Sequence, residues 1–356
     1  MVLPNITSKH INDSNLRYRN MKQFDSMYEE DIGLKFFMSG FLTITFILSF
    51  VGNICTCAVI IRDRSMRTPT NCYLFNLAVT DFLTALCIPV EIYIKWMPDY
   101  FPIDEIGCRI HFVLWGCLSN CSALTIFAFT VERYVVITKP FQRQSLLLTS
   151  RVVKIVAFIW MLSCLFSMLQ VYNIILIEKK TGIYCFYKIS QQMQIVITVD
   201  LFIFFIVPMT VIFVIYVLIA LKLKHTNMKL KSSPANGKRN RDKAITMLAA
   251  VAASFFFCWF PYCVLRLMLI IPRWRQDDYS KTWKVFVYMS TVNGYLSTAV
   301  NPILYSLMSR KFQQAFKNLL DGQKPTIRLD TLSKLHSDNS VQSGIRLNNI
   351  RHRYSF

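Results

Sequence analysis

SALTIFAFTVERYVVIT, residues 122–138, closes a long apolar run and ends in Glu132-Arg133-Tyr134. A carboxylate beside a permanent guanidinium is expensive at the end of a hydrophobic helix unless it serves a purpose there. Other marked residues interrupt apolar runs elsewhere in the chain. They are Asn53 in GN, Asp81 in NLAVTD, Trp259 and Pro261 in CWFP, and Asn301 to Tyr305 in NPILY. Together they read as one interior assembled around Arg133.

The composition agrees with a membrane setting. Of 356 residues 54% are hydrophobic, and the mean hydropathy is +0.38. A soluble domain of this size is less apolar. Only 17% of residues are charged, yet the net charge is +20, gathered in a few loops and the tail. A nucleic-acid binder would carry its basic residues on a soluble face, so no nucleic-acid partner is expected. The eleven cysteines contain no CxxC pair with matching Cys or His spacing, which argues against a zinc site. His10, His111, His225, His336 and His352 are scattered, so no enzyme site is expected.

Seven apolar stretches follow a polar start, at about 35–61, 71–95, 107–137, 152–177, 193–223, 243–271 and 283–307. Each is long enough to cross a hydrocarbon core of ~30 Å. Helices are the expected form, because open strands leave backbone groups unsatisfied in lipid. Arg62, Arg64 and Arg67 follow the first stretch, and Lys139, Arg143 and Arg151 follow the third. Lys222 to Lys243 is a basic connection read as a flexible linker, and Arg310-Lys311 opens the tail. The alternate loops hold Asp99, Asp104, Glu105, Glu178, Asp277 and Asp278. Basic loops stay cytoplasmic, which puts the N-terminus outside and the C-terminus inside.

The expected organisation is an extracellular tail (1–33), a seven-helix transmembrane domain (34–309), an amphipathic helix (310–320) and a cytoplasmic tail (321–356). The fold class is an all-α membrane protein, a seven-transmembrane helix bundle with a short eighth helix. RKFQQAFKNLL places Phe312, Phe316, Leu319 and Leu320 on one face, suited to the inner membrane surface and its lipids. No cleavable signal pattern precedes the first stretch. Asn5 and Asn12 begin N-glycosylation triplets.

Asp81 falls mid-membrane and needs partners; Asn53, Ser122, Ser297, Thr298 and Asn301 are the candidates. Pro208, Pro261 and Pro302 each fall inside an apolar stretch and should bend their helices. Glu91 in IPVEIY and Arg266 in PYCVLRL lie in the outer halves of their stretches. A carboxylate and a guanidinium at the mouth of one cavity suit a peptide carrying a cation and a polar terminus.

These motifs resemble rhodopsin-like (class A) G-protein-coupled receptors, from about Leu34 to Leu320. The resemblance implies a Cys108–Cys185 disulfide at the outer face. It implies a pocket of Asp81, Ser122 and Asn301 able to hold an allosteric Na⁺, with no other cofactor; a water-filled packing network is the alternative. It assigns G-protein coupling and switching to Glu132, Arg133, Tyr134, Tyr216, Phe255, Asn301, Pro302 and Tyr305, with Arg133 held locally by Glu132. Arrestin and receptor kinases are further implied partners. Trp115 and Gly116 stand where amine receptors keep an Asp, so an amine ligand is not expected.

SMRTPTNCYLFNLAVTDF, PVEIY, FFFCWFPYCVLRLM and LSTAVNPILYSLMSRKF are similar to neuromedin U and invertebrate pyrokinin/CAPA peptide receptors. That resemblance implies an extracellular C-terminally amidated neuropeptide, bound by Glu91, Arg266, Trp115, Trp259 and Tyr262. It further implies coupling to Gq, calcium mobilisation, and a place in the plasma membrane. Relatives carry a further Glu at the level of Gly116. The alternatives are a class A receptor for another peptide or a lipid and, in a different class, an ion channel or transporter.

Overall fold

The structure, a computed structural model, describes residues 2–3, 32–97, 104–138, 149–179, 182–188, 190–229, 235–271, 281–308 and 310–321. Asn5, Asn12 and the tail beyond Asp321 lie outside the described residues.

The first helix, Ile32–Arg62 (α1), shows what surrounds the protein. Thr45, Ser49, Asn53 and Thr56 are buried, while Ile44, Ile47, Leu48, Val51 and Ile54 face outward. In water this face would be inside out. In lipid it is favourable, because polar groups find partners only within the protein. The chain continues through Pro69–Ala85 (α2), Ile88–Trp96 (α3), Asp104–Thr138 (α4) and Thr149–Val171 (α5). Gln191–Leu201 (α6), Val207–Lys229 (α7), Ala235–Ile270 (α8), Lys281–Met308 (α9) and Arg310–Leu320 (α10) complete the helices.

Six spans among the described residues are long and apolar enough to cross a membrane: Ile32–Arg62, Pro69–Trp96, Glu105–Val135, Ser150–Val171, Gln191–Ile219 and Ala252–Ile270. The seventh helix, α9, packs along α8, α1 and α2. It falls outside that set because polar residues turned into the bundle, Ser290, Thr298 and Asn301 among them, dilute its hydropathy. The main core joins Tyr73, Leu74 and Leu77 of α2 to Ala123, Ile126 and Phe129 of α4, and to Phe255 and Trp259 of α8. On α10, Phe312 is buried, and Phe316 and Leu319 pack against the same core, so these residues of the apolar face meet the bundle where the sequence reading expected membrane surface.

Four local features correct the sequence reading. The second stretch is two helices, broken at Leu86-Cys87, where the Cys87 N–H bonds the Thr84 carbonyl at 3.0 Å. Pro89 explains the break: it is tolerated in the first turn of α3 but could not continue α2. The fourth span ends at Val171 and not at 177. There, Ile174–Lys179 (β2) pairs antiparallel with Gly182–Lys188 (β3), and Val2–Leu3 (β1) joins β3 in parallel, a small sheet beside an otherwise all-α bundle. An apolar run such as IILI suits a strand as readily as a helix end, which is why composition extended the span. Third, a π-helical stretch, Phe202–Ile206, precedes Pro208. Finally, the linker expected over 222–243 is helical up to Lys229 and again from Ala235. Extending a formed helix adds a hydrogen bond per residue fixed, so α7 and α8 run past their apolar parts.

Candidate functional site

Three polar centres lie along the bundle. At the end of the bundle where α4 begins, Pro89 starts α3 afresh and places Glu91 one turn in. Its Oε2 stands 3.6 Å from His111 Nε2 of α4, and the two side chains are only 21% and 10% exposed. The Lys95 charge also reaches Glu91, while Lys95 Nζ sits 5.0 Å over the Tyr288 ring. Arg266 of α8 is 7% exposed. Its Nε donates to the Tyr262 hydroxyl at 2.6 Å, and its Nη2 to Gln170 Oε1 at 3.3 Å. The structure therefore gives Glu91 and Arg266 separate partners on separate helices.

Aromatic rings floor the space below. Trp115 lies 5.2 Å from Tyr262 and 5.9 Å from Trp259. Phe205 lies 5.5 Å from Trp259, and Phe255 lies 5.8 Å from it. The π-helical stretch carries Phe205, so that local widening helps build the floor. Five of the residues expected to bind ligand or switch, Trp115, Tyr262, Trp259, Phe255 and Arg266, thus form one continuous set of contacts.

The second centre is mid-membrane. Asp81 is 2% exposed, and Asn301 Nδ2 donates to its Oδ2 at 2.8 Å. Of the other partners expected for Asp81, Ser122 donates to Thr80 Oγ1 at 3.0 Å, next along the chain from Asp81. Ser297 and Thr298 instead bond carbonyls of their own helix, Gly294 and Tyr295. Asn53 donates to the Thr298 carbonyl at 3.0 Å and ties α1 to α9. Its Oδ1 is buried with no hydrogen-bond partner among the described residues.

At the end of the bundle where α4 stops, Glu132 is 5% exposed and accepts from Arg151 Nη2 of α5 at 3.1 Å. Arg151, which the sequence reading placed in a loop, lies inside that helix. The Tyr73 hydroxyl of α2 also bonds Glu132. Arg133 stands with its guanidinium carbon 5.6 Å from the Phe129 ring centroid. Tyr134 packs on Ile215 and Ile219 of α7, and Tyr216 lies beside Thr130. Tyr305 is buried with its ring 5.9 Å from Phe312, and Pro302 lies inside α9. Cys108 is fully buried and disulfide-bonded; the side chain of Cys185, on β3, lies outside the described residues.

Sequence reasoning missed His111, Asn120, Gln170 and Asp200. Asp200 is 1% exposed and accepts from Asn120 Nδ2 at 2.8 Å. It had the same signature as Asp81, a carboxylate inside an apolar run, here VITVDLFIF.

The family model for the 7 transmembrane receptor (rhodopsin family) matches residues 52–305. The pyrokinin-1 receptor of Drosophila melanogaster is 31% identical, covering 85% of this chain and 82% of its own length. Neuromedin-U receptor 2 of Homo sapiens is 33% identical over 78% of this chain and 70% of its own. The thyrotropin-releasing hormone receptor of Homo sapiens is also 33% identical, over 78% and 77%. With its motifs placed as described and its relatives matched along most of their length, the chain belongs to the rhodopsin (class A) family of G-protein-coupled receptors, as a multi-pass membrane protein.

Proposed function

We propose that this chain is a plasma-membrane receptor for an extracellular, C-terminally amidated neuropeptide of the neuromedin U, pyrokinin or CAPA kind. The observation that carries this reading is the pairing of two half-buried or buried charges with an aromatic cluster: Glu91 beside His111, and Arg266 bonded to Tyr262, whose ring packs with Trp115 and Trp259. Two opposite charges held apart over aromatic rings suit a ligand with a cation at one place and a polar terminus at another. Relatives named for pyrokinin and neuromedin U support the ligand class. In this reading Glu91 receives the ligand's Arg, and Arg266 meets its terminus.

Binding favours the state in which Trp259 and Phe255 repack and α8 swings outward at its inner end. Pro261 inside α8 and Pro302 inside α9 serve as the bends. Arg133, Tyr134, Tyr216 and Tyr305 then form the face for a heterotrimeric G protein of the Gq class, which mobilises calcium. Arrestin and receptor kinases act on the same inner side. The N-terminal tail, with Asn5 and Asn12, is extracellular, and Cys108 is bridged to Cys185. Asp81, Ser122 and Asn301 would hold a Na⁺, whose charge would neutralise the buried carboxylate. The domain limits are those of the sequence reading: 1–33, 34–309, 310–320 and 321–356.

The test is intracellular calcium in cells expressing the chain. They are challenged with neuromedin U, pyrokinin and CAPA peptides and with thyrotropin-releasing hormone. A response to one amidated class, lost in Glu91→Gln, is the expected result. Silence across the panel, with the protein at the surface, would remove the ligand assignment.

A further inference from the structure

Two thiols meet between α4 and α5. Cys117 Sγ of α4 stands 3.2 Å from Cys164 Sγ of α5, close enough for one S–H to point at the other sulfur. Small residues let the two helices approach here. Gly116 backs onto Ser167, where an added Cβ would come within 3.3 Å of Ser167 Oγ. Cys117 is 5% exposed, and Ser163, next to Cys164 in the chain, is fully buried. Cys164 itself faces outward. Met161, Leu165 and Met168 share that face of α5, each more than half exposed. In a membrane such a face meets acyl chains. The pair thus has one sulfur open to lipid and one sheltered behind it. Neither has a task in the function proposed above.

A disulfide holds its sulfurs about 2.05 Å apart, so the gap must close by roughly 1 Å, which side-chain rotation can supply. The oxidant that reaches a thiol from the acyl chains is a hydroperoxide carried on those chains. We propose that Cys117 and Cys164 are a redox-reactive pair, converted by lipid hydroperoxides to a disulfide that locks α4 to α5. The Cys164 sulfur attacks the outer oxygen of the hydroperoxide. The O–O bond breaks, and the thiol proton passes to the departing oxygen, which leaves as an alcohol. Cys164 is then a sulfenic acid. The Cys117 sulfur attacks the Cys164 sulfur, the S–O bond breaks, and the hydroxyl leaves with the Cys117 proton as water. Two thiols lose two electrons, and one hydroperoxide gains them to become alcohol and water. Polar contacts already hold α4 to α5 on either side of the pair. Arg109 donates to the Val171 carbonyl at 3.0 Å, and Arg151 donates to Glu132 at 3.1 Å. The disulfide adds a covalent tie between them.

In the experiment the full chain, in phospholipid nanodiscs, is treated with cumene hydroperoxide, which partitions into the bilayer, and is digested without reductant. Mass spectrometry should find the Cys117 and Cys164 peptides joined, two hydrogens lighter than the separate thiols, and parted again by dithiothreitol. The oxidised wild type should unfold about 5 °C or more above the reduced one, as expected for a disulfide closing a long loop. Cys117→Ser should lose that rise. It should still take a dimedone adduct at Cys164, because the first step does not need Cys117. Cys117 and Cys164 recovered from the treated wild type as thiols, or joined to other cysteines, would overturn the proposal whether or not the variant folds. So would a Cys117–Cys164 bridge that leaves the unfolding midpoint unmoved, since α4 would then not be locked.

Discussion

Glu132 and Arg133 are adjacent in the chain but have different surroundings. Glu132 is tied to Arg151 and Tyr73, which belong to two other helices. Arg133 has its guanidinium over the Phe129 ring of its own helix. The carboxylate thus ties α4 to α2 and α5, and in the proposed mechanism the guanidinium is the group offered to the G protein. Arg133→Ala should keep surface expression and ligand binding while ligand-stimulated nucleotide exchange drops by about tenfold or more, the loss expected for a charge-assisted contact. Full exchange by that variant would refute the assignment. At this scale polar residues that break apolar runs were the readable signal: it singled out Asp81, Glu91, Arg133 and Arg266, though Asp200 carries the same signal and was missed. It did not reveal who partners whom. Asn120 meets Asp200 across 80 residues and Asn301 meets Asp81 across 220, so the pairing depends on how each helix is rotated.

The helices themselves were legible from length and hydropathy, and their irregularities were not. Pro89 was passed over because the apolar run continues through it, yet it divides α2 from α3 and sets the position of Glu91. The π-helical stretch at Phe202–Ile206 has no composition signal of its own, since Phe and Ile suit an ordinary membrane helix equally well. Helix approach is similar: GN at Gly52-Asn53 was noted for its Asn, but the glycine sets the distance. A Cβ at Gly52 would lie 2.8 Å from Pro302 Cβ, and a proline ring cannot turn aside. Gly52→Ala should therefore push α1 away from α9 and cost about 1–3 kcal/mol, the usual range for overpacking. Thermal unfolding of the purified receptor reads this directly. Gly40→Ala on the same helix is the control, because nothing lies within 4 Å of its added Cβ. Equal stability of the two variants would show that α1 and α9 can separate freely.

Across the whole molecule, the three polar centres are stacked with the aromatic floor between the outer one and the rest. Asn301 holds Asp81 next to the Pro302 bend, and Asn53 ties the same helix to α1. The Asp81 centre thus touches α9 at its bend, one of the two bends in the proposed switch. An ionised carboxylate that is 2% exposed, with one hydrogen bond from Asn301, is costly unless a cation compensates it in at least one state. A cation held only in the closed state would oppose the ligand through linkage, with no contact between them. Asp81→Asn removes the charge and keeps a hydrogen-bonding side chain of the same size. In membranes, exchanging choline chloride for NaCl at constant ionic strength should lower agonist affinity of the wild type by roughly fivefold or more, within the usual range of allosteric coupling. The variant should show a flat response. A variant as sodium-sensitive as the wild type would place the cation elsewhere. A wild type that ignores sodium would make this centre a packing network, with Asp81 held by its neighbours and no ion involved.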